Sequence, residues 1–182
     1  MTTFILLLRG INVGKANRLP MAKFRGILVE LGYLKPATLL NSGNAVFVAA
    51  ESAVDTHAAR VTAAIRECFG FEIAVTVKSL EALRRIVAGN PFVHTIADPS
   101  HFLVVFAQDP GSLSGLTGLE LLLTEEEQFS VTSEAAYLGC VRGLLESAAA
   151  SALLGKAGRT VTTRNWSTTL KLLNLAEHAN SD

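Results

Sequence analysis

Three cations, two asparagines and two glycines share one short stretch, Leu8-Arg9-Gly10-Ile11-Asn12-Val13-Gly14-Lys15-Ala16-Asn17-Arg18-Leu19. Gly10 and Gly14 permit positive φ and close approach of the backbone. Successive amides can then form a nest for an anion, and a helix starting just after it adds a favourable dipole. Arg9, Lys15 and Arg18 would complete a site for phosphate or another oxyanion. The spacing is neither GxGxxG nor GxxxxGK[ST], so no nucleotide fingerprint is met. A strand-to-helix connection, with glycines for its turns and cations for solubility, accounts for the same residues.

The second stretch with chemical content is Thr162-Thr163-Arg164-Asn165-Trp166. Asn165 suits a helix N-cap and Trp166 a core or interface anchor. Arg164 is left over: it either pairs with a carboxylate of the fold or offers a bidentate fork to phosphate from the second half of the chain. Asn41-Ser42-Gly43-Asn44 reads either as ligand-facing side chains or as a turn that uses Asn and Gly at positive φ. The histidines His57, His94, His101 and His178 have no ligand spacing, and each reads as a surface or strand-end residue, so no metal site is expected. No nucleophile stands beside a base, no carboxylate pair stands out on a loop, and Glu125-Glu126-Glu127 reads as a solvated run. Cys68 and Cys140 show no CxxC or Cys/His spacing and are expected as two buried free thiols in a reducing compartment.

The 182 residues are 49% hydrophobic, enough for one domain or two small ones. Lys plus Arg number 16 and Asp plus Glu number 16, so net charge is zero, which argues against a dedicated nucleic-acid binder. The charge is nevertheless segregated. Residues 1–29 and 147–176 carry no acid, while Arg9, Lys15, Arg18, Lys23 and Arg25 fall in the first block and Lys156, Arg159, Arg164 and Lys171 in the second. Such segregation favours an electropositive surface. The start, MTTFILLLRG, has no basic leader and too short an apolar run for a signal peptide, and no window reaches the roughly 20 apolar residues of a membrane span. A cytoplasmic protein without a cofactor is therefore expected.

These residues need elements to position them. Residues 3–8 read as a strand. Pro20 suits the first turn of a helix whose Met21, Phe24, Ile27, Leu28 and Leu31 share a face, and Gly32 stops it. Strands follow at about 37–41 and 45–49, then a helix over 53–69 with Val54, Ala58, Val61, Ile65 and Phe69 inward. Phe71–Val77 reads as a strand, and Ser79 caps a helix to Ala88, ended by Asn90-Pro91. The second half repeats this order: strand 101–107, a weak helix within 110–122, strands 128–132 and 136–141, helix 144–154, strand 160–164 and a last helix with Trp166, Leu170 and Leu173 on one face. Two β-α-β-β-α-β units, each with an extra helix, predict an α+β duplication of ferredoxin-like subdomains, antiparallel sheets with helices on one face, over 1–92 and 100–182.

Leu7-Leu8-Arg9-Gly10-Ile11-Asn12-Val13-Gly14, Leu19-Pro20-Met21, Asn41-Ser42-Gly43-Asn44, Asn90-Pro91-Phe92, Thr162-Thr163-Arg164-Asn165-Trp166 and Lys171-Leu172 resemble the family catalogued as domain of unknown function 1697. The resemblance spans nearly the whole chain and implies a pair of ferredoxin-like subdomains; it implies no reaction. Two positions depart from the family pattern: Lys15 stands where a second glycine is usual, and Ser147-Ala148-Ala149 lacks the lysine of a Ser-Lys-Leu-like triplet. The functional expectation is a binding module for a phosphorylated or anionic small molecule, using Arg9, Asn12, Gly14, Lys15, Arg18 and Arg164. The alternatives are single-stranded nucleic acid on an open sheet face, a non-catalytic structural module, or a small-molecule enzyme without an assigned mechanism. The high apolar fraction fits buried sheet faces or a homodimer.

Overall fold

The computed structural model describes residues 1–14, 17–50 and 53–181, the last by its backbone only. By contacts the chain divides into two compact units, Met1–Leu83 with Leu172–Asp182, and Arg84–Lys171.

In the first unit, strands β1 (Thr2–Leu8), β2 (Leu34–Leu39), β3 (Asn44–Ala49) and β4 (Val75–Ser79) form an antiparallel sheet in the order β2-β3-β1-β4. Helices α1 (Met21–Glu30) and α2 (Val54–Phe69) contribute Phe24, Ile27, Leu28, Ala58, Val61 and Ile65 to a core with Phe4, Leu6, Leu8, Ala45, Phe47, Val75 and Val77. Alternation along β1 puts Thr3, Ile5 and Leu7 on the opposite face, where they too are buried. The chain then enters α3 (Leu80–Ala88), whose first turn is capped by Ser79 Oγ, 3.2 Å from the Ala82 amide.

The second unit holds β5 (Phe102–Ala107), β6 (Gln128–Val131), β7 (Ala136–Gly139) and β8 (Val161–Asn165), antiparallel in the order β6-β7-β5-β8. Its core joins β5 and β7 to the short helix α4 (Gly111–Ser114), a 3-10 segment Thr117–Leu122 and α5 (Ala148–Leu154). The last helix, α6 (Trp166–Ser181), starts on Asn165, whose Oδ1 accepts the Thr168 amide at 2.8 Å. Among the described residues no helix is long and apolar enough to cross a membrane.

Several boundaries differ from expectation for local reasons. Strand β2 starts at Leu34 despite Pro36, because an edge strand tolerates a missing donor and the register shifts between Leu34 and Ala37, where Lys35 has φ 48°. It ends before Leu40, which is left-handed at φ 58°. Pairing of β4 with β1 begins only at Val75, two residues before the expected strand would have ended. Pro20 stands at the N-cap position of α1, just before its first turn, and makes no side-chain cap bond. Helix α5 begins at 148, not 144, because Ser147 Oγ accepts the Ala150 amide at 3.0 Å and fixes the start there. On α6 the inward residues are Trp166, Thr169, Leu172 and Ala176, while Leu170 is exposed. Cys68 lies exposed on α2, against expectation; Cys140 is buried, and burial pushes its thiol pKa up.

The β2–β3 turn is a close approach. Gly43 has φ 75°, its carbonyl accepts the Leu8 amide at 2.8 Å, and an added Cβ would lie 2.6 Å from Leu8 Cβ and 2.8 Å from Ile11 Cδ1. Asn44 is fully buried and closes the same turn, its Nδ2 donating to Leu39 O at 2.9 Å and Ser42 Oγ at 3.0 Å. Gly43→Ala meets both a strained φ and a clash, so it should destabilise the chain by about 2 kcal/mol or more in urea denaturation. Gly10→Ala, whose Cβ meets nothing within 4 Å, should cost about 1 kcal/mol for the φ alone.

Candidate functional site

The loop after β1 is pinned by its apolar residues. Ile11 and Leu19 are buried in the core of the first unit, while Val13 at the tip is exposed. Gly10, Asn12, Gly14 and Asn17 all have positive φ, at 67°, 55°, 61° and 48°. The loop therefore coils tightly, using the residue types that tolerate this region.

Asn12 is the knot. Its Nδ2 donates to Leu19 O at 3.0 Å and to Asn41 O at 2.8 Å, and its Oδ1 accepts the Leu19 amide at 2.9 Å. Its own amide donates to Asn17 O at 3.1 Å. One side chain thus closes the loop on itself and ties it to the β2–β3 turn. Both protons of the amide nitrogen are committed to the fold.

This tie shapes a hollow of about 310 Å³, lined by Asn12, Arg18, Leu19, Pro20, Met21 and Asn41. It opens at the start of α1, which has neither a side-chain cap nor an acid in its first turn. The first amides of a helix have no partner within it and carry the positive end of the dipole. Arg18 is exposed beside them, and among the described residues no carboxylate pairs with it. Of the other expected residues, Arg9 is half-buried, with its pKa lowered by desolvation, and its amide donates to Ala74 O at 3.0 Å. Gly14 is exposed at the loop tip, and Lys15 lies outside the described residues.

Arg164 belongs to the second unit, opposite Val104 on β5. Burial lowers its pKa to about 10, so it stays charged at neutral pH, and its Nη1 donates to Thr163 O at 2.7 Å. Trp166 next to it packs its ring 6.0 Å from that of Phe102, which meets Phe92 at 6.2 Å. The Asn90-Pro91-Phe92 and Thr162–Trp166 stretches therefore share one aromatic cluster. Asn90 Oδ1 accepts the Phe92 amide at 2.9 Å, while its buried Nδ2 has no acceptor among the described residues.

Sequence reasoning missed one group. His57 is buried, not at the surface, and its Nδ1 lies 2.9 Å from the hydroxyl of buried Tyr33. The rings of Phe4, Phe47 and Tyr33 surround it at 4.5, 5.4 and 5.2 Å. Tyr33 reaches this place because α1 ends in a Schellman turn, with Gly32 N on Val29 O and Tyr33 N on Leu28 O. Arg60, one turn along α2, lies over the Tyr33 ring at 5.2 Å and donates to Leu31 O at 2.7 Å. Desolvation first, then the Arg60 charge, lowers the His57 pKa; desolvation raises that of Tyr33. The signal was in the spacing: 54, 57, 58, 61 and 65 form one helical face.

A family model described as a protein of unknown function, DUF1697, matches residues 1–137. No curated protein matches the chain. Among solved structures, the conserved bacterial protein SP0830 from Streptococcus pneumoniae is similar with a TM-score of 0.81 at 24% identity, over 96% of this chain and 98% of that one. At that identity the likeness shows the fold alone.

Two outcomes follow from this geometry. Asn12→Ala leaves Leu19 and Asn41 backbone groups unpaired and should cost about 1–3 kcal/mol by urea denaturation, whereas Arg18→Ala should stay within about 0.5 kcal/mol. His57, with a folded pKa below its unfolded value of about 6.5, takes up a proton more readily when unfolded. Its contribution to stability is thus intact above pH ~6.5 and is lost as pH falls from there toward the folded pKa. Unfolding free energies measured from pH 7.5 to 5 should show this decline, and His57→Gln should remove that part of it.

Proposed function

We propose that this chain, which belongs to the DUF1697 family, binds a phosphorylated or otherwise anionic small molecule in the hollow between the Asn12 loop and the start of α1. The observation that carries this reading is an uncapped, acid-free helix start opening beside Arg18, a cation without a carboxylate partner among the described residues. Helix amides and a guanidinium are the usual donors to a phosphate group. Asn12 acts as the support that holds the loop in place. The reading rests on Asn12, Arg18 and the helix start, and does not depend on Arg9, Gly14, Lys15 or Arg164. It is preferred over nucleic-acid binding on a sheet face because the side chains such a face would offer, Thr3, Ile5 and Leu7 in the first sheet, are buried.

We also read each sheet with its helices as ferredoxin-like and the two as copies of one ancestral unit. The support is the correspondence of strand orders, β2-β3-β1-β4 against β6-β7-β5-β8.

A thermal-shift screen against sugar phosphates and nucleotides tests the binding reading. A ligand present at 100 times its Kd should add about 2.7 kcal/mol to the unfolding free energy. Arg18→Ala should weaken the best ligand about tenfold, and Arg25→Ala, on the exposed side of α1, should leave it nearly unchanged. No stabilisation by any ligand at millimolar concentration, or equal losses in both variants, would count against it.

A further inference from the structure

The first unit holds a second hollow, of about 460 Å³, at the edge of the sheet where α1 ends and α2 begins. Leu34, Ala49 and Ala50 give it apolar walls, Tyr33 and His57 a polar corner, and Arg60 a single cation. Its volume is in the range of small-molecule sites, roughly 300–1,000 Å³.

Arg60 is the informative residue. It is exposed, and among the described residues no carboxylate pairs with it. Among the described residues its one hydrogen bond is from Nη2 to Leu31 O, so most of its five N–H donors remain available. Yet it is not splayed into solvent: the guanidinium lies over Tyr33, and the Tyr33 ring is in turn fixed by its hydrogen bond to His57 and its stacking on Phe47 at 4.1 Å. A planar fork held on a locked ring is oriented in advance for a planar anion. One cation suits a single negative charge, and the walls suit an apolar body.

We propose that this hollow binds a small monocarboxylate with an apolar body, its carboxylate on the Arg60 fork and its body against Leu34, Ala49 and Ala50. Arg60 is the binding residue; Tyr33 and His57 are positioning residues that hold the guanidinium. The site is separate from the loop hollow and stands or falls without it.

Benzoate is the probe, titrated into the isotopically labelled full-length chain and followed through its amide NMR signals, with benzamide and inorganic phosphate as comparators. The proposal expects saturable shifts centred on residues 31–34 and 56–60. Benzamide, with the same ring and no charge, should bind at least about tenfold more weakly, and phosphate should leave these signals in place. Arg60→Gln should lose about tenfold in benzoate affinity without changing the melting temperature of the free protein, and Arg60→Lys should recover only part, because a point charge cannot make the bidentate contact. Tyr33→Phe, which keeps the ring and removes its tie to His57, should raise the Kd for benzoate severalfold. Absence of shifts at about 10 mM benzoate, equal binding of benzamide, or unchanged binding in Arg60→Gln would each overturn it.

Discussion

The side chain of Asn12 reaches both the N–H and the carbonyl of Leu19, on the far side of its own loop, and the carbonyl of Asn41 in the β2–β3 turn. Three pieces of chain that are separate in sequence are thereby fixed: the exit from β1, the entry to α1 and the hairpin. Asparagine suits this place for two reasons. It tolerates the left-handed backbone that the loop requires, and it alone among small residues offers two donors and an acceptor in one plane. Gly43 makes the arrangement tight, since its lack of a side chain lets the turn lie against Leu8 and Ile11. The open helix start adjoins this tie, since Asn12 and Asn41 line the same hollow as Arg18, Pro20 and Met21.

The other end of α1 is organised by a different device. A glycine-ended helix turns the chain so that Tyr33 points into the core, and its hydroxyl meets His57 within a set of aromatic rings. Burial desolvates both groups, and the hydrogen bond between them offsets part of that cost. The pair also determines where the Arg60 guanidinium rests. An arginine that no carboxylate pairs among the described residues thus lies near each end of α1, Arg18 of the preceding loop beside exposed amides and Arg60 of α2 over an aromatic ring.

Much of this was legible in the sequence. The order of elements follows from hydrophobic period, and the glycine stops and the Ser79 and Asn165 caps could be named beforehand. The opening loop could be picked out as the place where cations, amides and glycines gather. What Asn12 does there could not, because its partners Leu19 and Asn41 offer backbone atoms, which leave no mark on residue type. Residue type alone does not mark His57 as buried; its place on the apolar face of α2 does. Cys68 has the composition of an inside residue, yet it falls on the outward side of the same helix. Pro36 argues against a strand until β2 is known to lie at an edge.

The most direct test of the account is an amide NMR titration of the full-length chain with inorganic phosphate. The account predicts saturable shifts that are largest for the amides of Met21, Ala22 and Lys23, with Arg18 and the Asn12 side-chain amide moving in step. Shifts spread over exposed cations such as Arg25 and Lys35 without saturation, or none at the start of α1, would contradict it.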